Sequence, residues 1–182
     1  MPHFCPGLSN TTVAFIFSAP GRREAEEGVP VAGITGKNLD AALKILHRES
    51  PALFPSTSRY EFRISNAYVG VLHKNKDGRT EGTKREILDD GNIARVLKDI
   101  AGVKVVILCG LKPGYLRDRI TNAGFYTAIA CHCGNRGLSQ TFQNSHPSLK
   151  GIKNSTERTS KRTELWAHDI LRQLPEESTG GA

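Results

Sequence analysis

Ser18-Ala19-Pro20-Gly21 closes an apolar, β-branched run and opens a segment punctuated by Gly28, Gly33 and Gly36. Pro20 and Gly21 force a turn, and the later glycines let backbone approach a ligand or another segment closely. A nucleoside-triphosphate loop is excluded. That pattern needs glycine where Val31 stands, and Ser or Thr where Asn38 follows Gly36-Lys37. Asn66 lies amid a second apolar stretch, near a strand end, and its carboxamide offers one acceptor and two donors in a plane. Such a group either reads the edge of a planar ligand or satisfies neighbouring backbone. A third landmark, Ser145-His146-Pro147-Ser148-Leu149, puts an imidazole on a turn stiffened by proline.

The charge points to a polyanionic partner. Twenty-five Lys and Arg against 18 Asp and Glu leave a net +7, the balance of a nucleic-acid binder. Lys150, Lys153, Arg158, Lys161 and Arg162 form one basic run, and Lys74, Lys76, Arg79, Lys84 and Arg85 a second. Arg22 and Arg23 flank the first turn. Four cysteines, with Cys131-x-Cys133 as the one close pair, lack C-x-x-C spacing, so no metal is expected. Cys131-His132-Cys133-Gly134-Asn135-Arg136-Gly137 reads equally as a pocket wall or a glycine-rich turn. Apolar runs are far short of the roughly 20 residues that cross a bilayer, and the start lacks a charged-then-apolar layout. A soluble, cytoplasmic protein is expected.

These groups need a scaffold, and the pattern supplies one. Apolar β-branched runs at 12–18, 62–71, 103–109 and 125–130 read as strands buried on both faces, hence a parallel sheet. Leu39, Leu43 and Leu46, and Ile93, Val96, Leu97 and Ile100, mark two helices. Thr83 and Glu86 form a capping box, and Pro113 begins a helix reaching Leu116 and Ile120. A last helix is expected at 160–174 along Trp166, Ile170 and Leu174. Strand alternating with helix predicts an α/β domain over 1–175, followed by a flexible tail at 176–182. Ligands then gather at the carboxyl ends of the strands.

With this order in place, the stretch from Ser18 to Asp40 resembles the first motif of the uracil-DNA glycosylase superfamily, especially its thermostable iron–sulfur branch. Ala19, Pro20, Gly21, Glu24, Gly28, Pro30, Gly33, Gly36, Leu39 and Asp40 fall in place without a gap. Asn66 matches the asparagine that hydrogen-bonds the edge of a flipped pyrimidine. His146-Pro147-Ser148 resembles the second motif, whose loop enters the minor groove. The resemblance spans roughly residues 12 to 152.

It implies a three-layer α/β/α sandwich with a central, mainly parallel four-stranded sheet. The implied protein is a monomeric, cofactor-free DNA glycosylase that leaves an abasic site. Ser18 and nearby backbone would position water, and His146 would stabilise the departing base anion. Ala19, Pro20, Gly21, Val31 and Asn66 would bind the base. Arg22, Arg23, Ser148, Lys150 and Lys153 would meet DNA phosphates, while Leu149 or Ile152 fills the vacated stack.

The chain also departs from the pattern. Ser18 occupies a position where strongly uracil-active branches usually carry Asp, Asn or Glu, so Glu24, Glu26 or Glu27 is a candidate replacement carboxylate. Val31 follows Pro30 where an aromatic ring normally stacks on uracil, which enlarges the pocket. Only Cys5 lies near the expected amino-terminal cysteine pair, so an iron–sulfur cluster is not expected. Uracil, a bulkier modified base of phage DNA, and binding without turnover all remain open.

Overall fold

A computed structural model describes residues 1–175; the tail expected at 176–182 lies outside the described residues. The sheet begins with a strand that the sequence did not announce, β1 (Phe4–Cys5), followed by β2 (Val13–Phe17), β3 (Arg63–Asn66), β4 (Val105–Cys109) and β5 (Tyr126–Ala130). Their spatial order is β1-β3-β2-β4-β5. β1 runs antiparallel to β3, while the other neighbours pair in parallel, with Phe17 opposite Asn66 and Ile16 opposite Leu108. The expected four-stranded sheet is therefore a five-stranded mixed one. Two residues cannot display an alternation, so β1 left no pattern to read.

The described residues also form nine α-helices, α1 (Arg22–Glu27), α2 (Ile34–Glu49), α3 (Lys74–Asp77), α4 (Lys84–Ile87), α5 (Asp90–Asp99), α6 (Leu111–Gly114), α7 (Arg117–Asn122), α8 (Asn135–Thr141) and α9 (Ser155–Leu171), and two 3-10 turns, Arg59–Glu61 and Pro147–Leu149. β2 and β4 are buried at every position because helices cover both faces. Val13, Phe15 and Phe17 join Leu39, Leu43 and Leu46 of α2 and Trp166 and Ile170 of α9. Ala14 and Ile16 pack instead with Ile93 and Val96 of α5 and Ile120 of α7.

Capping decides where several helices start. Asn154 accepts from the Thr156 and Glu157 amides, so α9 opens five residues before the expected 160 and ends at Leu171. Thr83 and Glu86 make the expected capping box of α4. Pro113 lies inside the single turn α6, and Leu116 and Ile120 serve the separate α7. The turn expected after β5 includes α8, in which Gly137 is needed: a Cβ there would lie 2.1 Å from the His132 carbonyl oxygen.

At the outer edge of the sheet, the Gln173 carboxamide accepts from the Ile129 amide at 2.9 Å and donates to its carbonyl at 2.8 Å. Among the described residues, no helix is long and apolar enough to cross a membrane.

Candidate active site at the carboxyl edge of the sheet

Parallel strands end together, so the residues just after β2, β4 and β5 meet at one edge. There they line a cleft of about 810 Å³ that includes Ser18, Ala19, Glu81, Gly110, His132 and Arg136. Ser18 is 6 % exposed, and its hydroxyl donates to Glu81 Oε1 at 2.9 Å. Gly110, with φ 118°, keeps this corner open: a Cβ there would sit 3.8 Å from Ser18 Oγ and 3.5 Å from His132 Cβ.

Glu81 reaches the cleft from the loop between α3 and α4, and that loop is pinned on both sides. Arg79 and Thr83 both bond Glu86, holding its carboxyl well below the usual carboxylate range. Gly82 lies against the Tyr68 ring, where a Cβ would come within 2.8 Å of Tyr68 Cβ. Tyr68 is anchored in turn by its amide to the Ser18 carbonyl at 2.9 Å.

His132 is held equally firmly. Its ring packs edge-on to Phe17, with centroids 5.8 Å apart, and Nδ1 accepts from the Gly134 amide at 3.0 Å. Burial lowers its pKa from the ordinary 6.5, with Glu81 opposing more weakly. The neutral ring therefore carries its proton on Nε2 as a donor. The flanking carbonyls are fixed by buried side chains: Trp166 Nε1 donates to Cys131 at 2.7 Å, and Asn38 Nδ2 donates to Cys133 at 2.8 Å. Burial raises the Cys109, Cys131 and Cys133 thiols above their usual range. Among the described residues, no group of three or more His, Cys, Asp or Glu is placed to hold a metal.

The residues singled out by sequence divide into several settings. Ser18 and Ala19 line the cleft. The Pro20 carbonyl accepts from Leu72, and the Gly21 amide donates to Glu24 at 3.0 Å. Glu24 is thus a helix cap, Glu26 pairs with Arg22 across 3.5 Å, and Glu27 is exposed. None of these three lines the cleft; its carboxylate comes from Glu81, 63 residues after Ser18. No local pattern signals that contact, which is made by two loops distant in sequence.

Val31 is 4 % exposed and adopts φ 54°, the left-handed region a β-branched residue rarely enters. Its surroundings hold it there. A Cβ on Gly36 would lie 2.1 Å from the Val31 carbonyl oxygen, Tyr60 donates to the Pro30 carbonyl at 3.2 Å, and Arg59 joins Tyr60 to Asp40. Gly36 and Asp40 therefore have a structural task in shaping this corner.

Asn66 is 3 % exposed, and its buried Oδ1 has no hydrogen-bond donor among the described residues. It is not among the cleft-lining residues, but its strand position faces Phe17, the ring that supports His132. Its carbonyl accepts from Arg95 at 2.7 Å, and Arg95 also pairs with Asp99.

His146 is half-buried beside Phe142, with Nδ1 accepting from Ser148, and lies outside the lining of the cleft. Its loop follows α8, which contributes Gln140 and Thr141 to the cleft. Leu149 is 2 % exposed and packed in the core, so in this conformation it is not presented to a duplex. Ser148, Lys150 and Lys153 are exposed, and Ile152 is half-buried. Arg22, Arg23 and Lys74 border a neighbouring groove. In the carboxy-terminal basic run, Lys161 pairs with Glu164 and Arg162 bonds the Phe142 carbonyl, which leaves fewer free cations than the sequence shows.

The chain matches no family model and no curated protein sequence.

Proposed function

We propose that the protein is a monomeric DNA glycosylase of the uracil-DNA glycosylase superfamily. It hydrolyses the bond between deoxyribose and a flipped-out uracil or other damaged or modified base. The finer fold assignment, a glycosylase-like α/β/α sandwich on the four parallel strands, belongs to the same proposal. The observation that carries this reading is the first-motif turn, Ser18-Ala19, opening into the cleft at the carboxyl edge of the sheet. The orphaned Asn66 oxygen at the end of the adjacent strand supports it.

In this mechanism, Arg22, Arg23, Lys150 and Lys153 hold phosphates while the base leaves the stack. Asn66 pairs with the base edge, its free acceptor meeting an N–H. As the glycosidic bond breaks, negative charge develops on the base, and the Nε2–H of His146 stabilises it once the loop closes on DNA. Val31, expected to border the base, is instead buried in the core and outside the lining of the cleft, so the size of base accepted is set by the residues that do line it.

The test is to incubate the protein with duplexes carrying uracil, thymine mismatches, deaminated purines or hypermodified cytosines, and then cleave abasic sites with alkali. Strand breaks identify the base, and His146→Ala slows that single-turnover excision by about two to three orders of magnitude with little change in affinity. Tight binding without breakage on every duplex refutes turnover and leaves a DNA-binding member of the superfamily.

A further inference from the structure

We propose that Glu81 is the catalytic carboxylate of this cleft. It acts as general base on the water that attacks C1′ of the deoxyribose, and Ser18 is its positioning hydroxyl. The proposal rests on the glycosylase reading above. What points to Glu81 is its place: among the described residues it supplies the only carboxylate lining the cleft, with Ser18 Oγ 2.9 Å from its Oε1.

Other carboxylates nearby are already committed. Glu24 accepts from the Gly21 amide, Glu86 binds Arg79 and Thr83, and Asp40 is paired with Arg59. Glu81 accepts from Ser18 through Oε1, and an ionised carboxylate offers about four acceptor sites. Its second oxygen can therefore receive a water proton while the first stays on Ser18. The loop geometry makes this position reproducible, because Arg79 and Thr83 clasp Glu86 around it and Gly82 packs on Tyr68.

The step balances. The water oxygen forms a bond to C1′, the C1′–N pair leaves with the base, and the water proton passes to Glu81. Glu81 returns it through solvent to the base nitrogen, which leaves a neutral free base and a sugar hydroxyl. Ser18 is not itself the base: a neutral hydroxyl binds a proton far more weakly than a carboxylate, and its own proton points at Glu81, which is therefore the acceptor.

The experiment compares wild type, Glu81→Gln, Glu81→Ala and His146→Ala in single turnover. The substrates are duplexes carrying uracil, hypoxanthine or glucosylated 5-hydroxymethylcytosine. On whichever duplex wild type cleaves, both Glu81 variants are expected to excise about 10²- to 10⁴-fold more slowly while binding it with unchanged affinity. Sodium formate, a small carboxylate base, should restore part of the rate to Glu81→Ala, where the site is empty, and none to Glu81→Gln, where it is filled. Wild-type rates in Glu81→Ala, or a loss that formate does not rescue, overturn the assignment. If His146→Ala is slow in the same assay, the glycosylase reading survives that failure. Wild type releasing none of the three bases removes the assignment and counts against the glycosylase reading for this panel; release from the wider set of duplexes decides whether that reading stands.

Discussion

Replacing Asn66 with valine separates what this residue does for the fold from what it does for a ligand. The side chain is 3 % exposed and its Oδ1 lacks a donor among the described residues, so folding strips that oxygen of water without a replacement from them. An unsatisfied buried polar atom costs about 1–3 kcal/mol. Valine removes that cost and suits the strand end, on a propensity scale spanning about 1 kcal/mol. Against this stand a changed shape and the repacking it demands, which for a swap of similar bulk cost less than about 1.5 kcal/mol. The balance favours the variant by about 1 kcal/mol, or about 2–4 °C in Tm for a domain of this size. Urea titration with an unchanged slope measures the gain, and single-turnover excision measures the accompanying fall in activity. A variant more stable yet inactive is the signature of an amide held ready for a ligand. Destabilisation by more than about 1 kcal/mol would refute the reasoning, because it would show that the amide is already satisfied in the folded protein.

Acidification should destabilise the protein through two half-buried imidazoles. His132 and His3 both have pKa values lowered from 6.5, chiefly by burial, so the unfolded chain binds protons that the folded one refuses. Stability is therefore retained above pH 6.5 and falls as the pH drops below it, and His132→Asn should flatten that decline in urea titrations below pH 6.5. Replacing Arg22, Arg23, Lys150 and Lys153 together with alanine should weaken DNA binding of any sequence and lower the log–log salt slope by about 0.9 for each phosphate no longer neutralised; an unchanged slope would mean these cations face only solvent. Gly36→Ala should destabilise by about 2 kcal/mol or more, despite alanine's advantage of about 1 kcal/mol in a helix, because its Cβ meets the Val31 carbonyl at 2.1 Å. A neutral result in thermal melts would show that the corner yields.

The fold was legible where burial imposes a period. Val13–Phe17 and Val105–Cys109 are apolar because helices cover both sides, and Leu39, Leu43 and Leu46 repeat because one side of α2 faces the sheet. Features defined by a single contact were not legible. Asn135–Thr141 resembled a glycine-rich turn because Gly137 is there to clear the His132 carbonyl, a constraint invisible before the helix is docked. The site followed the same division. Ser18 could be placed at a strand end from the strand alone, but Asn66 lay inside a run read as 62–71, whereas β3 stops at Asn66. Glu81 could not be placed, since it comes from a polar loop, while His132 was legible only as part of the stretch 131–137, which reads equally as pocket wall or turn and does line the cleft. The downstream glutamates looked suitable because they are near Ser18 in sequence, but Glu24 was needed by its own helix.

The Gln173 carboxamide has a consequence beyond its two hydrogen bonds. A sheet with open sides invites a second chain to add a strand, which is how folded proteins begin to stack. Here β1 shields one margin, and Gln173 imitates a strand along the other by answering both the amide and the carbonyl of Ile129. A chain shortened to residue 172 would keep nearly the whole core but lack this guard, so its first defect would be self-association through β5 rather than unfolding.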